Sequence, residues 1–265
     1  MGRYFRDRSG FARWCAGSGN MLRFMAPALA GLLFGLLGGA PEAAAGDLAS
    51  RAIIGFSSDG GAFAFEEFGR QDGSGFAYAN VYLIDTIKNG WIAGSPVRVL
   101  IKRDGADVAM AREQALEGAR PLLARSGIQK GRKGRLLASN PVTELGVDPH
   151  RVTVVPRPVY PAIDDPVRFV LHEFPVASKR CRRFAERQTV GMALRVQVGE
   201  RRPEQIHRDT RIPRSRGCPR SYAISDVIYY EPRRGRGVYI LLISVFRLGF
   251  EGPDRRFISA GYWTQ

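Results

Sequence analysis

The sequence predicts a mainly β, α+β fold: antiparallel sheets with one principal helix near residues 106–125. Three observations carry this reading. From residue 52 onward, short runs rich in β-branched and aromatic residues recur along the chain. Turn signals, among them Asp59-Gly60 and Asn89-Gly90, separate many of them. Only one stretch, 106–125, is dominated by the helix formers Ala, Met, Glu, Gln and Leu.

Taken in order, residues 52–56 are short and apolar, and Ser57-Ser58-Asp59-Gly60-Gly61 supplies a tight turn. Residues 62–68 follow, with Phe63 and Phe65 on one face and Glu66 and Phe68 on the other. After the loop Asp72-Gly73-Ser74-Gly75 come strands over 79–87 and 97–102, with Trp91-Ile92 between them. The helix has Asp104 or Asp107 as its cap and Gly127 as its stop, and Pro121 should kink or end its last turn. The basic run 129–135 reads as an exposed loop. Strand signals return at 151–155, 167–174 and 189–198, and after an arginine-rich loop at 222–230. Residues 233–237 form a turn, 238–246 the most apolar strand of the chain, and 257–262 the last.

Ahead of this body lies an address. Arg23 is the last charge before an uninterrupted apolar run, Phe24 to Ala40, and a small-residue segment follows. A charged start, an apolar middle and an A-x-A ending are the pattern of a secretory signal peptide. Cleavage is expected between Ala45 and Gly46, with Ala43 and Ala45 at the two small-residue positions and Gly46 as the new N-terminus. The stretch before Met21 is unusually long and basic for such a signal, so Met21 is the expected start, with a long basic leader as the alternative. The alternative, an anchor retained through 24–41, is opposed by Pro27, Pro41 and four glycines in a span near the lower length limit. The expected location is therefore periplasmic or secreted, with no permanent membrane span after cleavage and a single β-rich domain over 46–265.

Forty basic and 25 acidic residues give the chain a net charge of +15; residues 46–265 retain 35 and 23, or +12. Such a surface attracts polyanions. Export removes nucleic acid from reach, so no nucleic-acid partner is expected; an envelope protein or an anionic envelope component is. Only five of the basic residues are lysines, a bias that GC-rich coding also produces. Cys181 and Cys218 are the two cysteines of the mature body, and an oxidising compartment pairs them as a disulfide. The segment they enclose carries ten arginines against four acids and needs such a staple.

Two resemblances enter on particular residues. The run Ile54-Gly55-Phe56-Ser57-Ser58-Asp59-Gly60-Gly61-Ala62-Phe63-Ala64-Phe65 resembles one blade of a Tol-type β-propeller. No second copy is found and the helix breaks any period, so a complete propeller is not expected. The segments Gly55-Phe56-Ser57 with Phe65-Glu66-Glu67-Phe68-Gly69, and Ser244-Val245-Phe246 with Gly249-Phe250-Glu251-Gly252-Pro253-Asp254-Arg255-Arg256-Phe257, are similar to a bacterial family of predicted secreted proteins of unknown function. That resemblance implies export and assigns no activity, ligand or catalytic residue.

The residues themselves point to no reaction. His150, His172 and His207 lack metal-ligand spacing, neither mature cysteine sits in a C-x-x-C, and a G-x-S-x-G elbow is missing. No catalytic residue, metal or cofactor is expected. Glu66-Glu67 and Asp164-Asp165 are adjacent acids, which a strand would split across its two faces. The polar segment Glu251, Asp254, Arg255 and Arg256 beside Gly252-Pro253 is the candidate functional loop, or else an ion-paired corner joining two strands. The expectation is a non-catalytic binding protein of the cell envelope. The alternative is an envelope-polymer hydrolase whose carboxylates converge only in the fold.

Overall fold

The computed structural model describes residues 46–184, 189–250 and 252–264; the expected leader, with Ala43 and Ala45, lies outside them. Among the described residues the strands form three open antiparallel sheets, backed by one α-helix. The first sheet holds β1 (Ser50–Phe56), β2 (Ala62–Arg70) and β3 (Ala77–Asp85), with β4 (Gly90–Trp91) and β5 (Val97–Ile101) both paired to β3. Helix α1 (Val108–Arg125) follows, then β6 (Arg135–Ser139). The outer sheet is built from β7 (Arg151–Val154), β8 (Val167–Pro175), β9 (Val190–Val198) and β10 (Glu204–Arg208), each paired with the next. β11 (Pro219–Tyr230), β12 (Val238–Leu248) and β13 (Pro253–Trp263) join β6 in a central sheet of order β13-β12-β11-β6.

The layers stack as helix, first sheet, central sheet, outer sheet, and each interface has its own apolar cluster. Ala62 and Ala64 of β2 and Ala77, Ala79, Val81 and Leu83 of β3 face Ala111, Ala115, Ala119 and Leu122 of the helix. Small side chains on both partners let the helix lie close to the sheet. The opposite face of the same strands presents Phe63, Phe65, Tyr78 and Ile84 to Val238, Ile240, Leu242 and Phe257 of the central sheet. Beyond it, Tyr239, Leu241, Ile243 and Val245 meet Phe169, Leu171, Met192 and Leu194 of the outer sheet. β12 is thus buried on both faces, which is why its sequence is apolar without alternation.

Several elements differ from expectation. The helix begins at Val108, two residues late, because Asp107 is its cap and accepts from the Ala109 amide at 2.9 Å. It runs through Pro121 to Arg125 rather than ending there: Leu122 is buried against the first sheet, and Gly127 at φ +63° supplies the stop. β3 begins at Ala77 and ends at Asp85, leaving 86–89 as a turn. The basic loop 129–135 is mostly exposed, but its last residue opens β6, which pairs with β11. The arginine-rich loop contains β10 and a 3-10 turn, Arg214–Arg216. Propeller geometry is not present: the blade-like run is the β1–β2 hairpin of a layered stack. In that hairpin the Ser57 amide donates to Ala62 O at 2.9 Å around Gly60, whose φ of +77° suits glycine. The Asp59 carboxylate accepts from the Ser57 hydroxyl at 2.6 Å and the Gly61 amide at 3.0 Å, and these bonds hold its pKa below the ordinary value.

Cys181 and Cys218 form the disulfide, tying the 3-10 turn Lys179–Phe184 to the approach of β11 across a sequence separation of 37. Closing a loop of that length restricts the unfolded chain by about 3–4 kcal/mol. Cys181→Ser in the exported protein should therefore lower the melting temperature by about 10 °C. Calorimetry on the oxidised and variant proteins checks this, and unchanged melting would show that the bridge contributes little.

Candidate functional site

Where the first sheet meets the β13 edge of the central sheet, the layers leave a cavity of about 390 Å³. Phe65, Glu67, Asn80, Tyr82 and Ile84 line one side, with Trp91 of β4 and Arg98 of β5. Val245 and Arg247 of β12 and residues 256–259 of β13 line the other, and Ser215 and Arg216 close it from the disulfide-bounded segment. A second cavity of about 240 Å³ continues along β13 toward Asn89, Met192, His207 and Pro213. The two share Ile84, Trp91, Ser215, Arg216, Ile258 and Ser259, so they form one trough.

Strand alternation places these groups. β2 sends Glu66 to the helix side, where Arg112 forms an ion pair with it, and Glu67 to the central-sheet side. Glu67 is fully buried, and burial pushes its pKa above the ordinary 4.5 against the opposing pull of the Phe257 amide, Arg256 and Asn80. Both its oxygens are engaged. The Phe257 amide donates to Oε2 at 2.7 Å, while Asn80 Nδ2 and the Tyr82 hydroxyl donate to Oε1 at 3.1 and 3.4 Å. The Tyr82 ring stacks on Phe65, at 4.9 Å between centroids, and its hydroxyl pKa is raised, chiefly by burial and then by Glu67.

Four arginines surround this carboxylate, and three of them have acidic partners. Arg256 is ion-paired with Asp47, donates to the Asp47 carbonyl at 3.0 Å, and lies 3.9 Å from both Glu67 and Asp254. Its guanidinium also sits 4.9 Å from the Tyr78 ring centroid, and the Tyr78 hydroxyl donates to Asp47 at 2.7 Å. Arg247 pairs with Asp254 at 3.3 Å. Arg216 pairs with Asp209, whose carboxylate also accepts from the Met192 amide at 2.9 Å and lies 2.8 Å from His207 Nε2. Burial opposes the Asp209 charge, yet His207, the Met192 amide and Arg216 outweigh it and hold its pKa below the ordinary 3.8. Arg98 differs: it is exposed, lies 5.7 Å from the Trp91 ring centroid, and has no carboxylate partner among the described residues.

Of the polar segment read from sequence, Glu251 lies outside the described residues. Asp254, Arg255 and Arg256 stand within β13 rather than in a turn, because Pro253 already pairs with Leu248. Only Arg256 lines the cavity. Arg255 is turned toward the N-terminal segment, where it donates to Ala49 O at 2.7 Å, and burial together with Arg51 lowers its pKa. Gly46 packs on Pro253 so closely that a Cβ would meet its carbonyl oxygen at 2.3 Å. Asn80, Tyr82, Trp91, Arg98, Arg216 and Arg247 were not singled out by sequence reasoning. One signal was available: Asn80 interrupts an otherwise aromatic and aliphatic face of β3, between Tyr78, Tyr82 and Ile84. No group of three or more His, Cys, Asp or Glu among the described residues is placed to hold a metal ion.

The pattern of a family described as predicted secreted protein (DUF2259) matches residues 64–261, and the chain belongs to that family. Neither a curated protein nor a solved structure matches the chain. The family is one of predicted secreted proteins of unknown function, and no described helix is long and apolar enough to cross a membrane.

Because the folded state binds the Glu67 proton more tightly than the unfolded chain, stability should fall as pH rises above about 4.5 through the raised pKa. Glu67→Gln keeps an acceptor for Phe257 and turns its amide toward Asn80 and Tyr82, both of which have oxygens to accept it. That variant should flatten the pH dependence in urea titrations between pH 4 and 8. Glu67→Ala, which orphans the Phe257 amide, should cost about 3 kcal/mol at neutral pH.

Proposed function

We propose that this is an exported, non-catalytic binding protein of the cell envelope, and that the trough holds an anionic envelope component. One observation carries the reading: four arginines line the main cavity against one carboxylate, Glu67, whose oxygens are already occupied. Arg98 brings a guanidinium with no acid to neutralise it among the described residues. Tyr82, Trp91 and Phe257 give the site apolar walls on which a ligand body rests, a usual composition for small-ligand pockets. The +12 charge of residues 46–265 draws anions from solution toward it. A periplasmic location is consistent with the disulfide, which persists in oxidising compartments. A two-carboxylate hydrolase finds no comparable support, since Glu67 is the one acid among the residues lining both cavities.

Titration calorimetry with glutarate tests the reading. Binding should weaken as salt is raised, and Arg98→Ala should weaken it about tenfold through one lost charge-assisted contact while leaving the melting temperature unchanged. If glutarate fails to bind at low ionic strength, the anion site is wrong.

A further inference from the structure

The edge of β13 is closed at several points, and within the trough it is open at Ser259. β13 pairs with β12 without a register shift from Pro253 to Trp263, so the main-chain groups of alternate residues point outward along its whole length. Those outward residues are the odd-numbered ones. The Arg255 amide donates to Asp47 O at 2.9 Å, and its carbonyl accepts from the Ala49 amide at 3.3 Å. The Phe257 amide donates to Glu67. At Gly261 the carboxamide of Asn89 serves both groups, accepting from the amide and donating to the carbonyl at 3.0 Å. Pro253, at the start of the strand, has no amide hydrogen to offer.

Inside the trough Ser259 is left open. By the same parity its amide and carbonyl face outward, yet no described residue bonds to either, and Ser259 lines both cavities of the trough. Glu67 and Asn89 stand on either side of it and serve the edge as a neighbouring strand would. The carbonyl of Phe257 adds a further acceptor to the same stretch. A donor and an acceptor at strand spacing, beside Arg98 and Arg216, match a peptide unit bearing a negative charge.

We propose that the ligand is a short acidic peptide, whose main chain pairs with Ser259 and whose carboxylate lies among the arginines. The proposal rests on the anion-site reading and narrows it. Length is limited by the same geometry: residues 257 and 261 are about 13 Å apart along the strand, with the amide of the first and both main-chain groups of the second already bonded. The site therefore fits two or three residues, not an added strand.

The tripeptide Ala-Glu-Ala, its analogue N-methylated at the glutamate, and free glutarate separate the possibilities when titrated into the exported protein. Ala-Glu-Ala should bind about tenfold more tightly than either of the others, because only it makes both main-chain bonds. Ser259→Pro removes the outward amide at an edge position that tolerates proline, and should bring the tripeptide to within about twofold of glutarate's weaker affinity while leaving glutarate binding unchanged. Should the variant not fold, the comparison on the unaltered protein carries the test alone. Glutarate binding as well as the tripeptide would overturn the peptide proposal and leave the anion site standing. Binding of none of the three would overturn both.

Discussion

The buried carboxylate of Glu67 is the constraint on which the arrangement of the site depends. It stands at the junction of two sheets that share no strand pairing, and it bonds the main chain of the central sheet at Phe257. A charge in that position is costly to desolvate, so it is surrounded by donors: an amide, a carboxamide, a hydroxyl and, a little farther off, the Arg256 guanidinium. Removing any one of them leaves the carboxylate under-satisfied, and meeting all of them at once fixes the spacing between β2, β3 and β13. The trough is the space left over once that spacing is set.

Arg256 extends the same network to the start of the domain. Through Asp47 it ties the segment before β1 to β13, and Tyr78 joins that pair from β3. Three stretches far apart in sequence thus converge on one guanidinium. Arg51 does similar work one strand further in, pairing with Asp226 beside Ser139 and joining β1 to the inner strands of the central sheet. Ion pairs of this kind hold register between layers, where apolar packing alone would tolerate sliding.

Much of the fold was legible because local chemistry and tertiary position agree. The Asp59-Gly60 turn and the apolar run of β12 read correctly, the cap was narrowed to Asp104 or Asp107, and Cys181 and Cys218 are the only pair that residues 46–265 offer. β6 and β10 were missed for the same reason as each other: both are short edge strands in arginine- or lysine-rich sequence, where composition suggests a loop. Charged edges are common because they discourage pairing with foreign strands. The site was much less legible. Asn80, Arg98, Arg216 and Arg247 lie on separate elements, and only the stacking of three sheets brings them together. The segment 253–256 was singled out for its polarity, but its role follows from β13 starting four residues earlier than its apolar pattern suggests.

Asn89 has a consequence beyond the pocket. β13 is an eleven-residue strand on the rim of a sheet, the kind of template along which a second chain zips to nucleate aggregation. Here an incoming backbone meets a carboxylate at Phe257 and a carboxamide at Gly261, which break the run of hydrogen-bonding positions it would need and leave only a short gap at Ser259. The rim is left too interrupted for cross-β growth, without that strand having to be buried.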